Sequence, residues 1–222
     1  MPLREYATFF RQFRQRFETT GAIAPSSRYL ARAMVGPLSQ RGHSEPVRIL
    51  EIGPGTGAVT RTLITHMRDG DHLDLVELNT AFAELLEHRF NQEQDWQRVR
   101  SQAHVHVVPI QEFQPEAPYD FVISGLPFNN FPEPLVKDIL ASVCRLVKPD
   151  GILSYFEYQF VRSVRRRIGT QAERQRLTGI DDVLRGYTER MRIRRNWVFL
   201  NLPPAWVQHL RVQQDIPNQE SL

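Results

Sequence analysis

Two acids and three glycines carry the first chemical signal in this 222-residue chain. Residues 47–57 read Val-Arg-Ile-Leu-Glu-Ile-Gly-Pro-Gly-Thr-Gly. The apolar run Val47 to Ile52 passes straight into Gly53, Pro54, Gly55, Thr56 and Gly57, and a segment of helical character follows from Val59 to Met67. Strand, glycine turn and helix in that order build the nucleotide site of a doubly wound α/β sheet. Residues without a Cβ let the backbone turn sharply and touch a ligand. Gly53, Gly55 and Ala58 also satisfy the looser dinucleotide spacing, so the glycines alone leave the ligand open. Glu51 shifts the balance, because a carboxylate just before the first glycine suits a cation better than a pyrophosphate. S-adenosylmethionine (SAM) is such a ligand, with a sulfonium and an amino group. A second acid, Glu77, ends the run Leu73-Asp74-Leu75-Val76 and is followed by Leu78. It falls where the ribose-binding acid of such folds lies. A glycine turn with no ligand is the plain alternative; strand, loop, helix and second acid together argue against it.

The elements that must position these residues follow from periodicity and turn signals. Ser26 or Ser27 can cap a helix reaching to about Met34. A helix is expected from Ala81 to Phe90, then a polar stretch from Asn91 to Gln102. His104 to Val108 reads as a third strand, followed by Ile110 and Gln111. Tyr119 to Ser124 reads as a fourth, ending in Gly125-Leu126-Pro127-Phe128. Pro134 to Val147 is helical, and Ile152 to Phe160 is a fifth strand. Arg162 to about Met191 reads as mostly helical, broken at Gly169, Gly179 and Gly186. Trp197–Leu202 and Trp206–Val212 form a terminal strand pair joined by Pro203-Pro204. The expected fold is therefore α/β and Rossmann-like: a mostly parallel seven-stranded sheet with helices on both faces, closed by an antiparallel pair. Ligands in such sheets bind outside the carboxyl ends of the strands. Glu51 to Gly57, Glu77, Leu78, Ile110, Gln111, Ser124 and Gly125 all fall there, which makes them the expected SAM-binding set.

Length and composition bound the rest. The chain is about one domain long, with N-terminal helices over 1–35, the ligand-binding domain over 36–212 and a loose tail over 213–222. The hydrophobic fraction of 41% and charged fraction of 24% are ordinary for a globular protein. No apolar stretch approaches the length that spans a bilayer, and no signal-peptide core opens the chain. Cys144 is the single cysteine, so no internal disulfide forms, and a cytoplasmic location is the default. No metal site is indicated. Lys137 and Lys148 are the only lysines, and the net charge of +3 is carried mainly by arginines clustered in residues 4–16 and 162–195. Guanidinium forks match phosphate geometry. The charge alone points to nucleic acid or an anionic membrane surface.

The N-terminal segment adds a second signal. Tyr6, Phe9, Phe10, Phe13 and Phe17 recur on one helix face, Arg14 and Arg16 flank it, and Arg4 and Arg11 lie behind. Aromatic residues inward with arginines at the flanks form the pattern of a helix lying in a membrane interface. The same stripe is also compatible with packing on the protein's own core.

These segments together resemble a family. The aromatic-basic helix, then Gly-Ala-Ile-Ala-Pro-Ser-Ser-x-x-Leu-Ala at 21–31, then Glu-Ile-Gly-Pro-Gly-Thr-Gly, is similar to the bacterial phospholipid N-methyltransferases, class I SAM-dependent enzymes. Ser-Gly-Leu-Pro at 124–127 and Asn-Leu-Pro-Pro-Ala at 201–205 extend the likeness from about Phe9 to Arg211, and the arginine-rich stretch 162–195 departs from it. The resemblance implies stepwise N-methylation of phosphatidylethanolamine to its mono-, di- and trimethyl (phosphatidylcholine) forms, or of ornithine lipids. It also implies peripheral docking on the inner face of the cytoplasmic membrane through the first helix, with membrane phospholipids as partners and no nucleic acid.

Such a reaction needs a neutral amine placed in line with the methyl group, so positioning carries most of the catalysis. His209 is one candidate base, against an ordinary strand histidine. Tyr29, Tyr155, Tyr158 and Phe128 are candidates to face a methylated ammonium, against packed aromatics. Arg165 and Arg166 are candidates to clamp the lipid phosphate. Two other readings stay open. An rRNA adenine methyltransferase shares the fold and a basic surface, but Gly125 lacks the polar side chain that orients a planar amine in those enzymes. A non-catalytic SAM-binding module is the other.

Overall fold

The computed structural model describes residues 27–42, 45–158 and 170–213. The aromatic-basic segment with Phe9, Phe10, Arg11, Phe13, Arg14, Arg16 and Phe17, the pair Arg165 and Arg166, and the tail beyond Gln213 lie outside the described residues.

The carboxyl ends that hold the glycine segment belong to one seven-stranded sheet. Its strands are β1 (Arg48–Ile52), β2 (His72–Val76), β3 (Ala103–His106), β4 (Tyr119–Ser124), β5 (Val147–Tyr158), β6 (Arg192–Val198) and β7 (Ala205–Arg211). They lie in the order β3-β2-β1-β4-β5-β7-β6. The β1–β2, β1–β4, β2–β3 and β4–β5 pairs are parallel, and β7 runs antiparallel between β5 and β6. The sheet reverses its winding between β1 and β4, which fixes the crevice at their carboxyl ends. Seven strands, mostly parallel, with a terminal antiparallel pair is the architecture expected from the sequence.

Helices cover both faces. On one lie α1 (Arg28–Ser39), α2 (Thr60–Ile64), α3 (Thr80–Gln92) and the single turn α4 (Gln94–Gln97); on the other lie α5 (Glu133–Leu146) and α6 (Gln171–Met191). Alternation along β1 sends Ile49 into the first core and Leu50 and Ile52 into the second. Ser27 Oγ accepts the Leu30 amide at 3.2 Å and starts α1. Leu30, Ala31, Met34, Val35 and Leu38 then bury a continuous stripe against the sheet. Past the end of α1, Arg41 donates two bonds to Asp71, at 2.9 and 2.7 Å. Asp71 also accepts the Val47 amide at 2.9 Å and the Arg68 amide at 2.8 Å. This buried clasp fixes the entries to β1 and β2 together.

Several boundaries differ from expectation for identifiable reasons. α1 continues five residues past Met34, through Pro37, because its apolar stripe continues to Leu38. It therefore crosses the expected division at 35–36. β3 ends at His106, two residues early. The stretch 91–102 holds the turn α4, whose Trp96 is fully buried. α6 runs unbroken through Gly179 and Gly186. At Gly179 a Cβ would approach the Glu133 carboxylate of α5 to 1.9 Å, so this glycine serves helix contact rather than helix termination.

Candidate active site

The β1 loop turns through three left-handed glycines: Gly53 at φ 65°, Gly55 at φ 58° and Gly57 at φ 78°. Two of them are also required by their neighbours. A Cβ on Gly53 would meet the Leu126 side chain at 2.6 Å, and one on Gly57 would meet the Trp96 ring at 2.6 Å. Ladder bonds continue past the strands into the loops. The Gly53 amide donates to Val76 O at 2.9 Å, Gly125 to Ile52 O at 2.8 Å and Glu77 to His106 O at 3.0 Å. Pro54 and Gly55 are buried beneath the loop, and Thr56 is exposed at its crest.

Glu77 is buried and fastened at both oxygens. Oε2 accepts the Gly55 amide at 3.0 Å, and Oε1 accepts the Asn79 amide at 2.9 Å. Asn79 in turn caps α3 by accepting the Ala81 amide at 2.9 Å. The second acid and the glycine loop are thus one hydrogen-bonded unit.

Glu51 is different. It is 1% exposed, and neither carboxylate oxygen has a hydrogen-bond partner among the described residues. Thr60 Oγ1, on the adjoining helix α2, is also buried without one. Burial raises the Glu51 carboxyl; the Thr60 hydroxyl and backbone amide, too loosely placed for full hydrogen bonds, offset part of this, the nearby Glu77 charge adds to it, and the result is a pKa of about 8. An unpaired buried carboxylate is costly. This one fits a ligand that brings its own positive charge to the glycine loop.

The remaining residues divide by face. Ser124 is fully buried, and its Oγ accepts the Leu126 amide at 3.4 Å. A Cβ on Gly125 would lie 2.6 Å from Gly53 O, so the β1 and β4 loops touch backbone to backbone there. Leu78 and Gln111 are half-buried and Ile110 is buried around the ends of β2 and β3. Phe128 packs edge-on against Tyr155, centroids 5.5 Å apart, and Tyr155 lies beside Ser124 in the sheet. Tyr158 belongs to the opposite core, edge-on to Phe156 at 5.0 Å. Burial pushes its phenol up to about 12 despite the hydrogen bond with Asn201. Tyr155 and Tyr158 therefore do not share one surface. Tyr29 stands near the start of α1, partly exposed, with Arg28 5.0 Å over its ring.

His209 lies inside the sheet. It continues a row across the strands, Leu75, Glu51, Ile123, Ser154, His209, in which Ile123 and Ser154 separate the histidine from Glu51. Its Nδ1 is 2.8 Å from Ser154 Oγ. Burial, with Arg194 nearby, lowers its pKa to about 4, so the imidazole is neutral at physiological pH.

Trp96, Leu86 and Thr60 are not marked by the sequence as parts of this site. Trp96 and Leu86 line the glycine loop together with Leu126 of the segment after β4, and Thr60 faces Glu51. Of the three, Thr60 alone leaves a signal, as a polar residue at the start of the helix after the motif. Among the described residues, no group of His, Cys, Asp or Glu is arranged to hold a metal ion.

Comparison with known proteins agrees with this geometry. Residues 49–151 match the family model for a methyltransferase domain. An ornithine lipid N-methyltransferase of Singulisphaera acidiphila is 27% identical over 150 residues, covering 67% of this chain and 76% of that protein. The fold matches an O-methyltransferase from Bacillus cereus in complex with S-adenosylhomocysteine (SAH), with a TM-score of 0.61 at 13% identity over 90% of this chain and 89% of that one. It also matches the N-methyltransferase NodS from Bradyrhizobium japonicum WM9 in complex with SAH, with a TM-score of 0.56 at 15% identity over 84% of this chain and 88% of that one. Residues 49–151 thus match a methyltransferase domain, the fold is that of known methyltransferases, and the acid-and-glycine loop lies in the crevice where such sheets bind their ligands.

Proposed function

We propose that the enzyme N-methylates the amino head group of a membrane lipid. The observation that carries the methyl-transfer reading is Glu51, a buried carboxylate without a protein partner beside a loop of left-handed glycines. Glu51 would meet the amino end of SAM, the Gly53–Gly57 loop would pass beneath it, and Glu77, already tied to Gly55, would accept from the ribose hydroxyls. SAM supplies a methyl group on a sulfonium, open to in-line attack by a neutral amine.

Two considerations support a lipid amine. The 27% identical relative is named for ornithine lipid, and phosphatidylethanolamine presents the same kind of primary amine on the same kind of surface. Gly125 stands where a nucleobase enzyme needs a polar side chain, and the Gly53 carbonyl leaves no room for one. Aromatic faces attract methylated ammonium groups by about 0.5–2 kcal/mol. Phe128 follows the Gly125 turn and Tyr155 lies beside Ser124 on β5, but both are buried in the second core, and of the four candidate aromatics only Tyr29 has a partly exposed ring. No helix among the described residues is long and apolar enough to cross a membrane, so the lipid would be reached from the membrane surface.

The test is direct. Incubation with methyl-labelled SAM and vesicles containing ornithine lipid or phosphatidylethanolamine should label the lipid fraction, and total RNA should stay unlabelled. Label in RNA and none in either lipid would overturn the reading. Glu77→Ala should weaken SAM binding about tenfold or more, since a charged hydrogen-bonding partner is lost. Unchanged affinity by calorimetry would remove Glu77 from the site.

A further inference from the structure

The β6–β7 hairpin ends in an apolar tip that the methyl-transfer site does not use. Val198 pairs with Ala205, and Ala205 pairs with Tyr158 at the carboxyl end of β5. Residues 199–204, Phe-Leu-Asn-Leu-Pro-Pro, therefore project from the same edge of the sheet as the Glu51 loop. Phe199 is 72% exposed, Leu200 67% and Leu202 80%, and no other large apolar residues among those described exceed half exposure. A cluster of this kind marks an interaction surface.

The tip is held in place. Asn201 is buried under it; its Oδ1 accepts the Ser27 amide at 3.1 Å and its Nδ2 donates to Pro203 O at 2.7 Å. Asn201 also reaches the Tyr158 phenol. One side chain thus joins the tip to the start of α1 and to the end of β5. Behind the tip, Trp197 packs on Phe199 at 4.7 Å and on Trp206 at 4.2 Å between centroids, and the Arg195 guanidinium lies 4.2 Å over the Trp206 ring.

We propose that this tip inserts into an anionic bilayer and seats the carboxyl edge of the sheet on the lipid surface. The choice of a bilayer rests on the lipid reading above and on the charge behind the tip. Residues 192–211 hold four arginines and no acid. Glu157, opposite Trp206 on β5, faces this segment and accepts Gln208 Nε2 at 3.1 Å. Arg195 lies three residues back from Val198, roughly 10 Å along the strand. That is head-group depth when the apolar tip reaches the acyl boundary. Tryptophans between an apolar tip and a basic base fit the same interface. The predicted docking helix lies outside the described residues, so the hairpin is a separate point of contact.

The test places an environment-sensitive fluorophore on Leu202→Cys in the full chain with Cys144→Ala, and mixes it with phosphatidylglycerol-containing vesicles. The expected result is a blue shift and about threefold or greater brightening as the label leaves water. The same label on Asp69→Cys, an exposed loop residue before β2 on the opposite edge, should not change. Phe199→Glu with Leu202→Glu should weaken vesicle partitioning by about tenfold or more at unchanged SAM affinity, which also shows that the variant is folded. A label that stays in water while the protein sediments with vesicles would overturn the proposal. So would absence of vesicle binding, or a label buried by self-association before vesicles are added. A tip that inserts while no lipid is methylated would leave the docking surface standing and remove the lipid-methylation reading.

Discussion

Two buried acids on neighbouring strands have opposite fates. Asp74 on β2 faces the second core, opposite Leu50, and is surrounded by donors. Tyr119 Oη donates to it at 2.6 Å, His72 and His106 approach it through Nε2 at 2.7 and 2.6 Å, and Arg48 stands at 3.5 Å. Burial alone would raise its carboxyl, but the bonds from Tyr119, His106 and His72 outweigh burial and hold it below the usual range. Glu51 on β1 faces the first core with no partner, and burial pushes it to about 8. A carboxylate saturated by protein donors ties strands together. One left unsaturated beside a glycine loop keeps the cost of its burial unless a cation offsets it.

The sharpest way to break this contrast is to exchange the two roles by mutation. Asp74→Ala should cost about 3 kcal/mol of stability, because Arg48 and the buried phenol lose their acceptor. It should leave SAM affinity within about twofold, since additivity holds between separate sites. Chemical denaturation and calorimetry report the two quantities, and a large loss of affinity at full stability would reverse the assignment. Glu51→Gln should do the opposite, weakening SAM binding about a hundredfold, or about 2.7 kcal/mol.

The pH dependence sharpens the comparison, because the two acids act in opposite directions. The folded pKa of Glu51 is raised from 4.5 to about 8, so its charge costs cofactor-free stability as pH rises through that window. Glu51→Gln should remove this loss between about pH 4.5 and 8 and raise Tm at pH 8 by about 5 °C. The folded pKa of Asp74 is lowered below 3.8, so its contribution is present above that value and lost as pH falls through the lower folded pKa. SAM binding at pH 7 should release roughly one proton from Glu51, read by calorimetry in two buffers of different ionisation enthalpy. Binding without proton release would show that Glu51 is not the partner of the cationic ligand. The smallest effect is expected for Tyr119→Phe, about 1 kcal/mol of stability, because Asp74 keeps its other donors.

Much of the cofactor half was legible in the chain. A strand, a glycine loop and an acid at the end of the next strand are local patterns, and the sheet follows from their alternation. What the pattern could not distinguish was the kind of acid. Asp74 and Glu77 lie in the same short run; position marked Glu77 at the strand end, and only the surrounding donors show that Asp74 is a joint between strands while Glu77 is tied to the glycine loop. Trp96 was hidden because it sits in a polar stretch, and its burial depends on Gly57 approaching it from another element. Gly179 read as a helix break because its neighbour Glu133 is distant in sequence. Tyr155 and Tyr158 read as one aromatic patch, although three residues along a strand place them on opposite faces.

By itself, then, the sequence determined the α/β class, the switch-point crevice and the acid-and-glycine loop, because these arise from short-range periodicity and from residues that permit left-handed turns. Tertiary structure alone decided that Glu51 stays unpartnered, that His209 is enclosed as a neutral imidazole, and that Phe199, Leu200 and Leu202 face outward over a buried Asn201. Each of those outcomes depends on which distant groups arrive within hydrogen-bonding or packing distance, and no local pattern in the chain specifies that.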